Sequence, residues 1–153
     1  MNVLIVYASQ FGSTKRFAMV MGDALAKRHA VRVVSVEDAR ELTGDNVDLL
    51  LVGAPTQIHG LRLLARPFLA TLRQHAFVGV ASAAFDTRME GPERRTGSAA
   101  RAIGKRLVAA GCPVVAEPVG FVLTDFKGVP RVGEDERAIA WALTAADRIA
   151  VPV

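Results

Sequence analysis

Short, unbroken apolar runs alternate along this chain with longer stretches of helical spacing, and that alternation narrows the possible folds more than any other feature. Asn2 to Tyr7 is apolar almost throughout and rich in β-branched residues. Such a run reads as a strand covered on both faces. Val31 to Val36, Asp48 to Ala54 and Phe77 to Phe85 read the same way. A fifth strand region falls in two parts, Val114 to Ala116 and Gly120 to Thr124, interrupted near Pro118. Between these runs lie Ser13 to Arg28, Leu64 to Gln74, Ser98 to Ala110 and Glu134 to Ala150. Each has apolar residues at helical spacing, as in Phe17, Val20, Met21, Ala24 and Leu25. Pro67 fits the first turn of its helix, and Gly111 follows the end of another as a C-cap. Glu37 to Leu42 suits a short helix, and Gly44-Asp45-Asn46 a turn.

Strand followed by helix, repeated about five times, predicts an α/β fold: a doubly wound parallel sheet with helices on both faces. Right-handed crossovers fix most of its topology. The 153 residues, 51% of them hydrophobic, suffice for one domain with a real core, and 1–153 reads as a single domain. No linker, repeat or low-complexity tract interrupts it. The two long irregular stretches, 86–97 and 125–133, call for a functional explanation, since compact domains keep connections short.

In sheets of this kind ligands bind beyond the carboxyl ends of the strands, where the strand order reverses. The segments that follow the strands are therefore the informative ones. After the first comes Ala8-Ser9-Gln10-Phe11-Gly12-Ser13-Thr14, running into a helix. Three hydroxyls and a glycine at a helix start form an anion site, because free backbone N–H groups and the helix dipole favour a phosphate. Ser13 and Thr14 could serve only as helix caps, but caps alone do not need that density of donors.

The segment Tyr7-Ala8-Ser9-Gln10-Phe11-Gly12-Ser13-Thr14 resembles the phosphate loop of the flavodoxin family, with Ser13 where asparagine is commonest. Gly53-Ala54-Pro55-Thr56-Gln57-Ile58-His59-Gly60 resembles the flavodoxin loop that meets the isoalloxazine ring. The resemblance covers the whole chain. It implies five strands in the order 2-1-3-4-5 and one bound FMN, with its phosphate on Ser9, Gln10, Phe11, Gly12, Ser13 and Thr14. It implies ring contacts from Pro55, Thr56, Gln57, Ile58, His59 and Gly60. Either Ile58 or His59 would cover one ring face, and Gly60 would allow a peptide flip on reduction. The third flavin loop would be Phe85-Asp86-Thr87-Arg88, where many flavodoxins carry a tyrosine. Here either Phe85 stacks on the ring or the backbone of Asp86 and Thr87 does the work.

Competing readings of the architecture fail on particular residues. A phosphoacceptor signalling domain needs acids after the first strand and an aspartate ending the third, where Ala8-Ser9 and Gly53-Ala54 stand. A cysteine phosphatase needs its cysteine in the first loop, and Cys112 is elsewhere. The dinucleotide and nucleotide-triphosphate glycine motifs are missing after the first strand. His29, His59 and His75 lack metal-ligand spacing. Cys112 cannot form an internal disulfide and reads as a plain buried thiol, which favours a reducing compartment. No stretch reaches the roughly 18 apolar residues of a membrane span, so a cytoplasmic protein is expected. Basic residues are scattered without interleaved aromatics, which speaks against nucleic acid. Trp141, in the closing helix, and Tyr7 are expected to pack.

FMN would carry the chemistry while the protein sets its potential and what can approach. The resemblance implies an electron carrier between redox partners. The alternatives are a small FMN-dependent oxidoreductase acting on a quinone, porphyrinogen or similar substrate, with His59 and Arg88 orienting it, and a flavin-free interaction module. Typical carrier flavodoxins are strongly acidic, whereas this chain has a net charge of +4. His59, Arg62, Arg66 and Arg88 near the flavin would make its second reduction step less negative, and would favour an acidic docking partner.

Overall fold

The computed structural model describes residues 1–56, 63–125 and 127–149, with Arg95 described by its backbone alone. Five parallel strands form one sheet: β1 (Asn2–Tyr7), β2 (Ala30–Ser35), β3 (Leu49–Pro55), β4 (Ala81–Met89) and β5 (Val119–Leu123). Their order is β2-β1-β3-β4-β5, so the order reverses between β1 and β3. This is the doubly wound topology that the alternating pattern predicts. Central register is set by pairs such as Ile5 with Leu51 and Leu51 with Ala83.

Alternation along each strand divides the core in two. Leu4, Val6, Leu50, Val52 and Ala84 point to one face, where α2 (Arg66–Leu69) and α4 (Ala99–Ala109) cover them through Phe68, Ile103 and Leu107. Val3, Ile5, Leu49, Leu51 and Phe85 point to the other, under α1 (Ser13–Leu25) and α5 (Glu134–Ile149). On that side Phe17 stacks on Phe121 with ring centroids 4.9 Å apart. Gly22 lets α1 approach the sheet, for a Cβ there would lie 2.7 Å from Val33. Trp141 packs edge-on against Phe85 and donates its indole N–H to the Glu117 carbonyl at 2.9 Å.

Several boundaries differ from the sequence expectation. Strand β4 starts four residues later and ends four residues later than the apolar run predicts. Phe77 belongs to the preceding turns: its N–H bonds the Leu72 carbonyl and its ring meets Phe68 edge-on. Gly79, at φ 89°, then turns the chain into the sheet. At the far end Asp86, Thr87 and Arg88 remain in the strand despite their polarity, because each finds a partner. The helix expected over 64–74 is regular only at Arg66–Leu69 and continues as turns. The expected short helix near residue 37 is a 3-10 turn at Asp38–Glu41. Val114 makes a single bridge to Ser82, and β5 proper follows Pro118. A short helix, α3 (Glu93–Thr96), occupies part of the stretch expected to be irregular.

Candidate functional site

Two helices start at the carboxyl edge of the sheet, one on each face, and their first turns are treated in opposite ways. The first backbone donors of α4 are all taken. Ala99 N–H donates to Thr56 Oγ1 at 2.9 Å, Ala100 N–H to Asp86 Oδ2 at 2.9 Å, and Arg101 N–H to Ser98 Oγ at 3.1 Å. Helix α1 has no side-chain cap and no acidic residue in its first turn. Its N-cap is Gly12, at φ 94°, a conformation glycine adopts freely and other residues rarely. A Cβ there would meet no atom, so backbone angle rather than crowding calls for glycine. Gly12 N–H donates to Ser9 Oγ at 2.9 Å and folds the loop back on itself. The backbone N–H groups of Ser13, Thr14 and Lys15 make no hydrogen bond among the described residues. With the helix dipole behind them, they form an open anion cradle.

Hydroxyls line the same cradle. Ser9 accepts from Gly12 and keeps its own proton to donate. Thr14 and Thr87 are buried, and their hydroxyl oxygens lie 2.9 Å apart. That bond ties the start of α1 to the end of β4. A cleft of about 630 Å³ runs from this cradle across the sheet edge, lined by Ser9, Ser13 and Thr14 at its polar end. Pro55, Met89 and Leu123 supply apolar walls. The volume falls in the range of small-molecule sites.

The sequence-predicted residues divide into groups. Ser9, Gln10, Phe11, Ser13, Thr14, Pro55, Thr56, Thr87 and Arg88 come together around the cleft, with Gly12 shaping its loop. Phe11 is 77% exposed, so its ring stands on the rim instead of in the core. Gln57, Ile58, His59 and Gly60 lie outside the described residues. Of the two alternatives for the third loop, stacking by Phe85 is corrected by its burial. Its side chain is fully buried on the α1/α5 face, over Gly53, where a Cβ would fall inside the ring. It sits four residues before the end of β4, beneath α1 and α5 and against Trp141 and Phe121, too deep in the sheet to reach the cleft.

The side chain of Asp86 is likewise committed elsewhere. It is fully buried, accepts from Ala100 N–H, and forms a two-point ion pair with Arg88 at 2.9 and 2.6 Å. Ser98 Oγ completes this cluster, 3.1 Å from Arg88 Nη2 and 3.2 Å from Asp86 Oδ2. The Arg88 charge is thereby neutralised within the fold. Gly120 makes room for it, since a Cβ on Gly120 would strike the guanidinium.

The loop after β5 forms a wall that the three expected loops do not include. Leu123, Asp125 and Gly128 line the cleft. Asp125 Oδ1 accepts from the N–H groups of Lys127 and Val129 and fixes a tight turn. Gly128, at φ 85°, presses so close to Ser13 that a Cβ would overlap its hydroxyl. The length of the 125–133 connection was the signal for this wall. Behind it, Glu134 anchors α5: its carboxylate accepts from Val122 N–H at 2.7 Å and from Arg137 at 2.8 Å. Burial pushes the Glu134 carboxyl up, but the bonds from Arg137 and Val122 and the charges of Arg137 and Arg131 outweigh it. The net result lies below the usual glutamate range.

Cys112 is buried and its thiol lies 3.2 Å from the Phe77 carbonyl. Burial raises its pKa, against a smaller lowering by Arg73. Among the described residues no cluster of His, Cys, Asp or Glu could hold a metal, and no helix is long and apolar enough to cross a membrane.

No protein-family model matches the sequence, and no curated protein matches it. Solved structures match the fold over its whole length. Oxidised flavodoxin 1 from Bacillus cereus superposes with a TM-score of 0.77 at 18% identity, covering 96% of this chain and 98% of that one. A flavodoxin from the domain Archaea gives 0.78 at 20% identity, covering 99% and 100%. A Fusobacterium nucleatum flavodoxin variant bound to flavin mononucleotide gives 0.69 at 16% identity, covering 97% and 96%. The chain has the flavodoxin-like fold.

Proposed function

We propose that this protein is an FMN-binding electron carrier of the flavodoxin type. The observation that carries the reading is the contrast between the two helix starts at the sheet edge. The donors of α4 are occupied by side chains, while those of α1, beside the Ser9 and Ser13 hydroxyls, stay open among the described residues. That donor set suits a phosphate monoester, and the apolar cleft leading from it suits a flat, mostly apolar ring system. FMN joins those two parts, and bound there it would supply one- and two-electron redox chemistry.

The residues of this chain would hold the cofactor and limit access to it. Ser9, Ser13 and the first N–H groups of α1 would bind the phosphate. Thr14 and Thr87 would hold the cradle against the sheet. Pro55, Met89 and Leu123 would keep water from one side of the ring. Gln57, Ile58, His59 and Gly60 remain the sequence-based proposal for ring contacts, and the carrier's partner and its cytoplasmic location belong to the same reading. The relatives in fold named above support it, one of them with FMN bound.

A small FMN-dependent oxidoreductase is the second reading, and the wall built by Leu123, Asp125 and Gly128 favours it by deepening the cleft. Against it, Arg88 is bound to Asp86 and is not free to orient an anionic substrate. Optical spectroscopy of the purified protein tests the cofactor. A yellow preparation, or a colourless one that takes up added FMN one to one with quenched flavin fluorescence, is expected. A colourless protein that takes up none would leave only a flavin-free module. Turnover with quinones or porphyrinogens would then separate enzyme from carrier.

A further inference from the structure

The positive charge of this chain is not spread over its surface. Residues 63–116 contain eight lysines and arginines and three acids, a surplus of five, whereas the whole chain has a surplus of four. This segment supplies α2 and α4, which pack on one side of the sheet, and α3, which immediately precedes α4. The rest of the chain is close to neutral. Asp86 cancels Arg88 inside the fold, while Arg66, Arg94, Arg101, Lys105 and Arg106 lie on these helices and none of them is buried.

The charge gathers at a shallow depression formed by α3 and the first turns of α4. Arg94, Arg101 and Lys105 are exposed there. Arg101 pairs with Glu93, while Arg94 and Lys105 have no ionic partner among the described residues. The depression touches the cleft. Ser98 lies within it and bonds Arg88 on the cleft wall, and the adjacent Ala99 N–H bonds Thr56 on the same wall.

We infer that this basic face is the docking surface for an acidic partner protein, brought beside the cleft to exchange electrons. The partner's redox role rests on the carrier reading above, but the binding itself does not. Charge complementarity selects the partner class. Nucleic acid fits less well, because among the described residues no aromatic side chain lines the depression to stack on a base. A lipid surface fits less well, because among the described residues Ala102 is the only apolar side chain in it. The location also differs from the sequence expectation, which centred the basic docking charge on the loops around His59 and Arg88.

The test is binding to an acidic [2Fe–2S] ferredoxin, measured by calorimetry on protein with and without added FMN. Wild-type affinity should fall about tenfold or more between about 20 mM and 200 mM salt, as exposed charge pairs are screened. The triple variant Arg94→Glu/Arg101→Glu/Lys105→Glu should bind about thirtyfold more weakly or worse, and Arg94→Gln/Arg101→Gln/Lys105→Gln about tenfold. A control with the same charge change at the other end of the molecule, Lys27→Glu/Arg28→Glu/Arg32→Glu, should stay within about threefold of wild type. Circular dichroism checks that all are folded, and the glutamine triple serves if the glutamate triple is not. Equal loss in the control would reduce the effect to net charge and overturn the proposal. So would no ferredoxin binding at the lower salt, or tighter binding to duplex DNA or phosphatidylserine vesicles at equal ionic strength. Binding that is the same without FMN keeps this result separate from failure of the flavin reading.

Discussion

The hydroxyl of Thr14 meets the hydroxyl of Thr87 at 2.9 Å, and both residues are buried between α1 and β4. The two residues are 73 positions apart, and their bond joins the anion cradle to the strand that forms the far wall of the cleft. Replacing Thr87 by valine would keep the shape and leave Thr14 with an unmet buried hydroxyl. Thr87→Val should cost about 1–3 kcal/mol in urea denaturation and weaken FMN uptake. The double variant Thr14→Val/Thr87→Val should be closer to wild type in stability than the sum of the singles, because both polar groups leave together. Additive losses would mean that the pair is not coupled.

Asp86 has three tasks: it pairs with Arg88, accepts from Ser98, and caps Ala100 at the start of α4. Its removal strands a largely buried guanidinium and frees a helix donor. Asp86→Ala should therefore destabilise the fold by about 3–5 kcal/mol. Arg88→Met should cost less, since Asp86 keeps its bonds to Ala100 and Ser98. Chemical denaturation of the two variants checks the order, and a larger loss in Arg88→Met would contradict it.

Glu134 predicts an acid limb. Its carboxyl is held below the usual range in the folded protein, so it contributes stability above the unfolded-state pKa. That contribution is lost as pH falls through the folded-state value. Melting temperature should drop below the ordinary glutamate range, and Glu134→Gln should flatten that limb while lowering stability at neutral pH. An unchanged acid limb in Glu134→Gln would count against this account.

The flavin-loaded protein should reduce at a less negative potential than acidic flavodoxins in its second step. The surplus of positive charge on α2 to α4 would favour an anionic reduced cofactor. Arg88, being paired, contributes little. Making Arg94, Arg101 and Lys105 glutamate should lower that couple, by about 60 mV for each tenfold change in the one-electron equilibrium. A redox titration in which it does not move would remove the basic face as a determinant.

The doubly wound class of the sheet and the glycine turn at the start of α1 were legible because both are written locally, while the strand order followed from the flavodoxin resemblance. Unbroken apolar runs such as Val3 to Val6 declare burial on both faces, and Gly12 among hydroxyls declares a tight turn at a helix start. What stayed hidden depends on which way a strand residue faces. Phe85 looks available at a strand end, yet β4 runs on to Met89 and leaves it buried under α1 and α5. Asp86 to Arg88 look like loop because they are polar, but their partners come from residues 14 and 98. The contribution of Gly128 was equally out of reach, since its contact with Ser13 spans most of the chain.

The filled start of α4 has an effect beyond stabilising that helix. Since Asp86 already occupies one of the two positive poles at this edge, a ligand with a charged tail and a flat head finds the edge unsymmetrical. Entered backwards, its tail would meet a helix start whose donors are already taken, and its head the N–H groups of α1 that make no bond among the described residues. The fold thus sets the direction in which such a molecule lies down before any contact to its ring is made.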